Sequence, residues 1–312
     1  MILSTLLSTF LVSSHIYALK SPPNSRIVGG IQATEEFNFM TQIFVDDFAV
    51  CGGAILNDQW IITAAHCTIN ETTLTTTTVD PKVVKIALGG LEMKNRQIVG
   101  VDRVVIHKEY NPLSLANDIA LIHLESPLPL FHLQQKIPIS LQKIEPGQNV
   151  TVTGWGQTEV SQYSSRLLQV TLRVASIHRC RRERPDFNNH NGPQICTGLT
   201  PGRDTCPGDS GGPLVQLTPE GRYVLLGITS FGTYKVGKQF VCGQDSFGFY
   251  THVGYYLDFI KSTLGENQFS MVNKSDIKKF DSQSINLGVP LQSKSARMML
   301  FWTIAYHMFW IF

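Results

Sequence analysis

Between Ile27 and His252 the apolar positions fall into short runs separated by glycine and polar turns. Residues 42–45, 60–63, 83–88, 119–124, 150–153, 168–174 and 223–229 either alternate apolar with polar side chains or stay apolar, and β-branched residues are common in them. Successive side chains of a strand point to opposite faces, so such runs read as strands with one or both faces buried. Many short strands, with no repeat of fixed length and no helix between them, predict an all-β barrel or sandwich. The period changes only near the end. Val253, Tyr256, Leu257, Ile260 and Leu264 recur at helical spacing and predict one amphipathic helix docked on the β body.

The two ends of the chain have other patterns. Residues 1–18 are apolar and small-polar with no charged side chain, which reads as a signal peptide although its start lacks Lys or Arg. Serines and His15 interrupt the apolar run and argue against the alternative, an N-terminal anchor helix. Residues 265–297 are polar, rich in Ser, Lys, Asn and Gln, and read as a stalk. Residues 298–312 are apolar again. As a helix they would span roughly 22 Å, short for a bilayer core of about 30 Å. A polar spacer before a terminal apolar tail has the form of a GPI-attachment signal, with Asn286, Ser282 and Ser284 as candidate sites. A membrane helix, or a tail that does neither, are the alternatives.

Composition narrows the class. The 312 residues suit one large or two ordinary domains, and 43% hydrophobic content suffices for a core. A net charge of +2 leaves no electrostatic footprint for nucleic acid. The one basic cluster, His178, Arg179, Arg181, Arg182 and Arg184, carries Glu183 and reads as a solvated surface loop. Six cysteines behind a signal peptide fit an oxidising compartment, but arithmetic leaves their pairing open. Asn70, Asn149 and Asn273 head Asn-x-Ser/Thr triplets, candidate glycosylation sites of a secreted protein. No metal-ligand cluster stands out, and no cofactor is implied.

One segment carries chemistry: Asp204-Thr205-Cys206-Pro207-Gly208-Asp209-Ser210-Gly211-Gly212-Pro213. A nucleophilic hydroxyl needs an open, tightly turned backbone so that a carbonyl can approach, and glycine permits one. Backbone N–H groups in such a turn can face a developing oxyanion. A serine is a weak nucleophile without an adjacent base. His66, in Thr63-Ala64-Ala65-His66-Cys67, and Asp118, in Asn117-Asp118-Ile119-Ala120-Leu121, are the candidates to activate it.

These three segments, with Arg26-Ile27-Val28-Gly29-Gly30, closely resemble the chymotrypsin/trypsin family of serine proteases over about residues 26–264. The resemblance implies two six-stranded antiparallel β-barrels, a C-terminal helix, and a catalytic cleft between the barrels. It implies Ser210 as nucleophile, His66 as general base and acid, Asp118 as the group that orients the imidazole, and the amides of Gly208 and Ser210 as the oxyanion hole. It implies residues 19–26 as an activation peptide, cleavage after Arg26, and an ion pair between the new Ile27 amine and Asp209. Asp204 would be the negative floor of the primary pocket, Gly232 and Gly248 its walls, and Ser230-Phe231-Gly232 the backbone that pairs with substrate as an added strand. Substrates would then carry Arg or Lys before the cleaved bond. The activator would be another protease or the enzyme itself, and protein inhibitors are expected partners. The implied disulfides are Cys51–Cys67, Cys180–Cys196 and Cys206–Cys242. The domain would run from 27 to 264, in a secreted zymogen tethered through its tail.

The chain departs from the family pattern in places. Val150 and Gln216 stand where many relatives bridge two cysteines, and Phe231 replaces the usual Trp. Pro207 precedes the oxyanion glycine. Residues 233–241, with Lys235 and Lys238, form an insertion at the pocket entrance, which implies a narrowed substrate range. The rival from another class is a catalytically silent homologue acting as a binding module; such proteins often lose a triad member, and all three are present here.

Overall fold

A computed structural model of the chain describes residues 30–33, 37–70, 77–92, 94, 96–129, 135–156, 164–198, 208–233 and 246–272. Strand β1 (Ile31–Gln32) is a short edge paired antiparallel with Gln169 and Leu168. Strands β2 (Met40–Val45), β3 (Phe48–Ile55), β4 (Trp60–Thr63), β5 (Val84–Leu88), β6 (Gln97–Ile106) and β7 (Ala120–Leu124) close into a barrel in the order β2-β3-β4-β7-β6-β5. The β2–β3 hairpin turns on Asp46 and Asp47, both at positive φ (49° and 64°), the backbone of a two-residue turn that Asp tolerates.

The second half is a nine-stranded sheet. It contains β1, β8 (Ile139–Ser140), β9 (Asn149–Gly154), β10 (Leu168–Arg173), β11 (Gln194–Thr197), β12 (Pro213–Leu217), β13 (Tyr223–Thr233), β14 (Phe247–His252) and β15 (Met271–Val272). Its central path runs β10-β9-β12-β13-β14-β11. That path returns on itself, because Val174, the residue after β10, bridges antiparallel to Thr197 at the end of β11. The flanking bonds Ala175 N to Cys196 O (3.0 Å) and Gly198 N to Arg173 O (3.0 Å) continue the seam. Six strands therefore form the second barrel, and β1, β8 and β15 are added to it.

Each barrel is filled by the inward side of its alternating strands. Val150, Val152, Leu168, Val170, Leu172, Ile195, Leu214 and Leu226 fill the second. The largest cluster joins the two halves: Ile43, Ile62 and Leu121 belong to the same core as Val215, Ile228, Tyr256 and Ile260. The helix predicted at the end begins as a 3-10 turn (Val253–Tyr256) and continues as α2 (Leu257–Leu264), with Ile260 buried.

Two expectations change. The basic cluster forms a helix, α1 (Ile177–Glu183), capped by the Ser176 side chain, and two of its arginines are held by the fold. Arg181 donates to Phe187 O and Asn188 O at 3.0 and 2.9 Å. The polar segment after Leu264 does not leave the body at once. Phe269 is buried in the main core, and Asn57 Nδ2 donates to Gln268 O at 2.7 Å. Strand β15 then runs parallel to β8, with Ile139 N to Ser270 O at 2.8 Å and Leu141 N to Val272 O at 3.1 Å. The folded body thus extends to Val272 where a stalk was expected from 265.

Candidate active site

His66 sits in a single 3-10 turn, Ala65–Thr68, directly after β4. Ala64 and Ala65 are buried, Thr68 Oγ1 donates to Ala65 O at 3.0 Å, and Cys67 is bonded to Cys51 of β3. Small residues and a covalent tie therefore fix the backbone that carries the imidazole. Asp118, just before β7, holds it by both oxygens. His66 Nδ1 donates to Asp118 Oδ2 at 2.8 Å, and the His66 amide donates to Oδ1 at 3.0 Å. This contact sets the tautomer, with the proton on Nδ1 and Nε2 left as the basic nitrogen.

The second half holds Asp118 in turn. Ser230 Oγ donates to Oδ2 at 2.5 Å and Thr251 Oγ1 to the Asp118 carbonyl at 2.7 Å. Tyr256 Oη donates to Asn117 Oδ1 at 2.9 Å, and Asn117 itself sits at φ 55° with its side-chain amide on Glu109 O. Burial alone would push the Asp118 carboxyl up. The hydrogen bond and charge of His66, the Ser230 hydroxyl and the His66 amide outweigh it and hold the carboxyl below its ordinary range.

Ser210 lies in a turn that enters β12, between Gly208 at φ 93° and Gly211 at φ 73°. Gly211 N donates to Thr229 O at 2.8 Å, and Ser210 O accepts from Gly52 N of β3 at 2.7 Å. The approach of the two barrels here depends on missing side chains. A Cβ on Gly211 would lie 2.2 Å from Thr63 Oγ1, 2.6 Å from Gly52 O and 3.0 Å from Cys67 Sγ. The serine turn is thereby packed against the residue next to His66. Asp209 is fully buried, and its Oδ1 accepts from Gly156 N at 3.0 Å. Cβ atoms on Gly154 and Gly156 would lie 2.1 and 2.5 Å from that oxygen, so both glycines make room for the carboxylate.

Among the substrate candidates, Ser230, Phe231 and Gly232 lie on β13, where Gly232 pairs with Gly248 of β14. A Cβ on Gly248 would meet Tyr250 Oη at 2.7 Å and Thr197 Oγ1 at 2.9 Å. Phe231 stacks on Phe249 with ring centroids 5.0 Å apart. The disulfides Cys51–Cys67 and Cys180–Cys196 are formed. Asp204, Cys206, Pro207, Cys242, Arg26, Ile27, Asn273, the inserted residues after Thr233 and both chain ends lie outside the described residues. Asn70 and Asn149 are exposed. Val150 and Gln216 stand on the neighbouring strands β9 and β12; Val150 is core, and Gln216 accepts from Gln148 Nε2 at 2.7 Å.

Sequence reasoning passed over Thr251, Tyr256 and Asn117 as supports of Asp118. Tyr256 read only as an apolar helix position, and Thr251 carried no signal. Among the described residues the one His/Cys/Asp/Glu cluster tight enough for a metal is Cys51, His66 and Cys67, but both sulfurs are spent in the disulfide.

Comparison with known proteins agrees with this architecture. The family model described as Trypsin matches residues 27–260. Trypsin eta of Drosophila melanogaster is 33% identical over 263 residues, covering 78% of this chain and 91% of that protein. Trypsin of Phaedon cochleariae is 32% identical, covering 78% of this chain and 90% of its own length. Transmembrane protease serine 11C of Mus musculus is 32% identical over 77% of this chain, but the match spans 54% of that protein, about half its length. The two-barrel fold, the His66–Asp118 contact at the barrel seam and these similarities make the chain a member of the trypsin family of serine proteases.

Proposed function

We propose that the chain is a serine endopeptidase, made as a zymogen, that cuts proteins after Arg or Lys. The observation that carries this reading is the two-oxygen hold of Asp118 on His66, with the Ser210 turn bonded across the seam to Gly52. In this reading Ser210 Oγ attacks the scissile carbonyl while His66 Nε2 takes its proton. The amides of Gly208 and Ser210 receive the oxyanion; one such donor contributes about 3–4 kcal/mol to the transition state. His66 then protonates the leaving amine, and water hydrolyses the acyl-enzyme by the same route in reverse. Asp118 stays ionised and stabilises the imidazolium.

Asp204 at the pocket floor favours Arg and Lys, and leaves its own charge unpaired beside a neutral side chain. Gly232 supports an open entrance, since among the described residues beyond its chain neighbours a Cβ there would come no nearer than 3.7 Å, to Phe247 O. Activation follows cleavage after Arg26. A fully buried carboxylate is stabilised by positive charge, and the freed Ile27 amine supplies it to Asp209 in this reading, ordering the oxyanion turn. Secretion behind residues 1–18, surface tethering through 298–312 and glycans on Asn70, Asn149 and Asn273 complete the proposal. Among the described residues no helix is long and apolar enough to cross a membrane. The partners are protein substrates, an activating protease and protein inhibitors.

Replacing Asp204 by Ser tests the pocket assignment. The variant, cleaved after Arg26, is expected to lose its preference for arginine-amide substrates while still reacting with a fluorophosphonate; an unchanged preference would refute the assignment.

A further inference from the structure

Arg184 follows α1 in sequence, and its side chain crosses from the second half to the first. Its side chain is only 15% exposed. Nε and Nη2 donate to the two Asp186 oxygens at 2.9 and 3.2 Å, and Nη2 also donates to Ser114 O at 3.1 Å. Ser114 belongs to the first barrel, in the loop that leads to Asp118, so the side chain bridges the two halves. The guanidinium carbon lies 5.0 Å from the Phe231 ring centroid, over the ring. Phe231 follows Ser230, which holds the Asp118 carboxylate. The cation is thus set beside the stretch of β13 assigned to substrate.

We infer that Arg184 determines substrate preference upstream of the cleaved bond, favouring an acidic side chain there over a basic one. This rests on the reading that substrate adds as a strand along residues 230–232. Three observations support the sign. Nη1 makes no hydrogen bond among the described residues, which leaves one edge of the guanidinium for a carboxylate. Asp186, its partner, is 71% exposed, so water screens its charge more than that of the largely covered arginine. The nearby Arg181 and Arg182 add charge of the same sign, opposed on the helix by Glu183 alone. The guanidinium also occupies the space over Phe231, so an upstream side chain meets a cation where it would otherwise meet an aromatic face.

The test is a set of peptides cleaved by the activated full chain, with Asp, Ala or Lys placed in turn at the second, third and fourth residues before the cut. At one of these positions Asp is expected to exceed Lys by about fivefold in kcat/KM, the size of a good exposed ion pair, through KM with kcat little changed. Arg184→Gln should abolish that ratio, and Arg184→Lys should keep part of it. Equal use of Asp and Lys by the parent enzyme would overturn the inference. So would an Arg184→Gln variant that slows every peptide alike, since that is the behaviour of a strut. Absence of cleavage of any peptide by the activated parent would instead overturn the proteolytic reading beneath it.

Discussion

Gly52 donates its amide to the carbonyl oxygen of Ser210 at 2.7 Å, joining β3 of the first barrel to the serine turn of the second. The two barrels, which share a hydrophobic cluster, present their functional groups to one another through this bond and the glycine contacts around it. A Cβ on Gly52 would lie 3.0 Å from Gly212 Cα and 3.2 Å from its amide nitrogen, both unyielding backbone atoms. Gly52→Ala is therefore expected to displace the serine turn. It should lower kcat/KM at least about tenfold at a stability cost of about 1–3 kcal/mol. Steady-state kinetics with thermal unfolding separate the two effects.

Ser230 donates to Asp118 from β13, although the sequence marks it only as part of a substrate-pairing segment. A hydrogen bond to a charged group contributes about 1.5–3 kcal/mol. Ser230→Ala should reduce kcat by about tenfold or more while KM changes little. Thr251→Val should do the same more weakly, because it releases a backbone carbonyl and leaves the carboxylate held. An unchanged kcat in Ser230→Ala would remove that residue from the positioning set.

The extension to Val272 touches both halves, through Asn57 in the first and β8 in the second. A chain ending at Leu264 should unfold about 5–10 °C below one ending at Val272, as should Phe269→Ala. A chain ending at Val272 should match the full chain in kcat. Differential scanning calorimetry on the activated proteins provides the comparison.

Acid should loosen the second barrel. His190 Nε2 donates to Ala175 O at 2.9 Å while Nδ1 accepts from Cys196 N at 3.2 Å, a pairing that only the neutral ring can make. His252 Nδ1 donates to Gly192 O at 3.0 Å. Burial pushes both rings below the ordinary 6.5, against the pull of the Ala175 and Gly192 carbonyls and, at His190, of Glu145. The unfolded chain then binds more protons below that value. This stability is fully present above about pH 6.5 and is lost as the pH falls toward the depressed folded values. Unfolding midpoints should drop between pH 7.5 and 5, and His190→Gln should flatten the dependence.

Most of the fold was legible because strand alternation and the terminal helical period are local signals. Residues 42–45 lie within β2, residues 60–63 are β4, and the two-barrel expectation is met once the Val174–Thr197 seam is included. Strands β8 and β15 have two residues each and carry no period. Phe269 and Met271 are lost in a polar surrounding that reads as stalk, because the partners that hold this segment, Asn57 and the β8 edge, are distant in sequence. His66, Asp118 and Ser210 were legible because each sits in a distinctive short motif. The contacts of Arg184 with Phe231 and Ser114 were not, since a charge run looks the same whether its side chains face water or the other half of the molecule.

In the proposed function Ser210, with His66 and Asp118, hydrolyses bonds after Arg or Lys once Arg26 is cleaved. The most direct measurement is turnover of an arginine-amide substrate by the cleaved protein and by its Ser210→Ala variant. Turnover should appear only after cleavage at Arg26 and disappear in the variant. No turnover in the cleaved parent, with Ser210 unreactive toward a fluorophosphonate, would contradict that function.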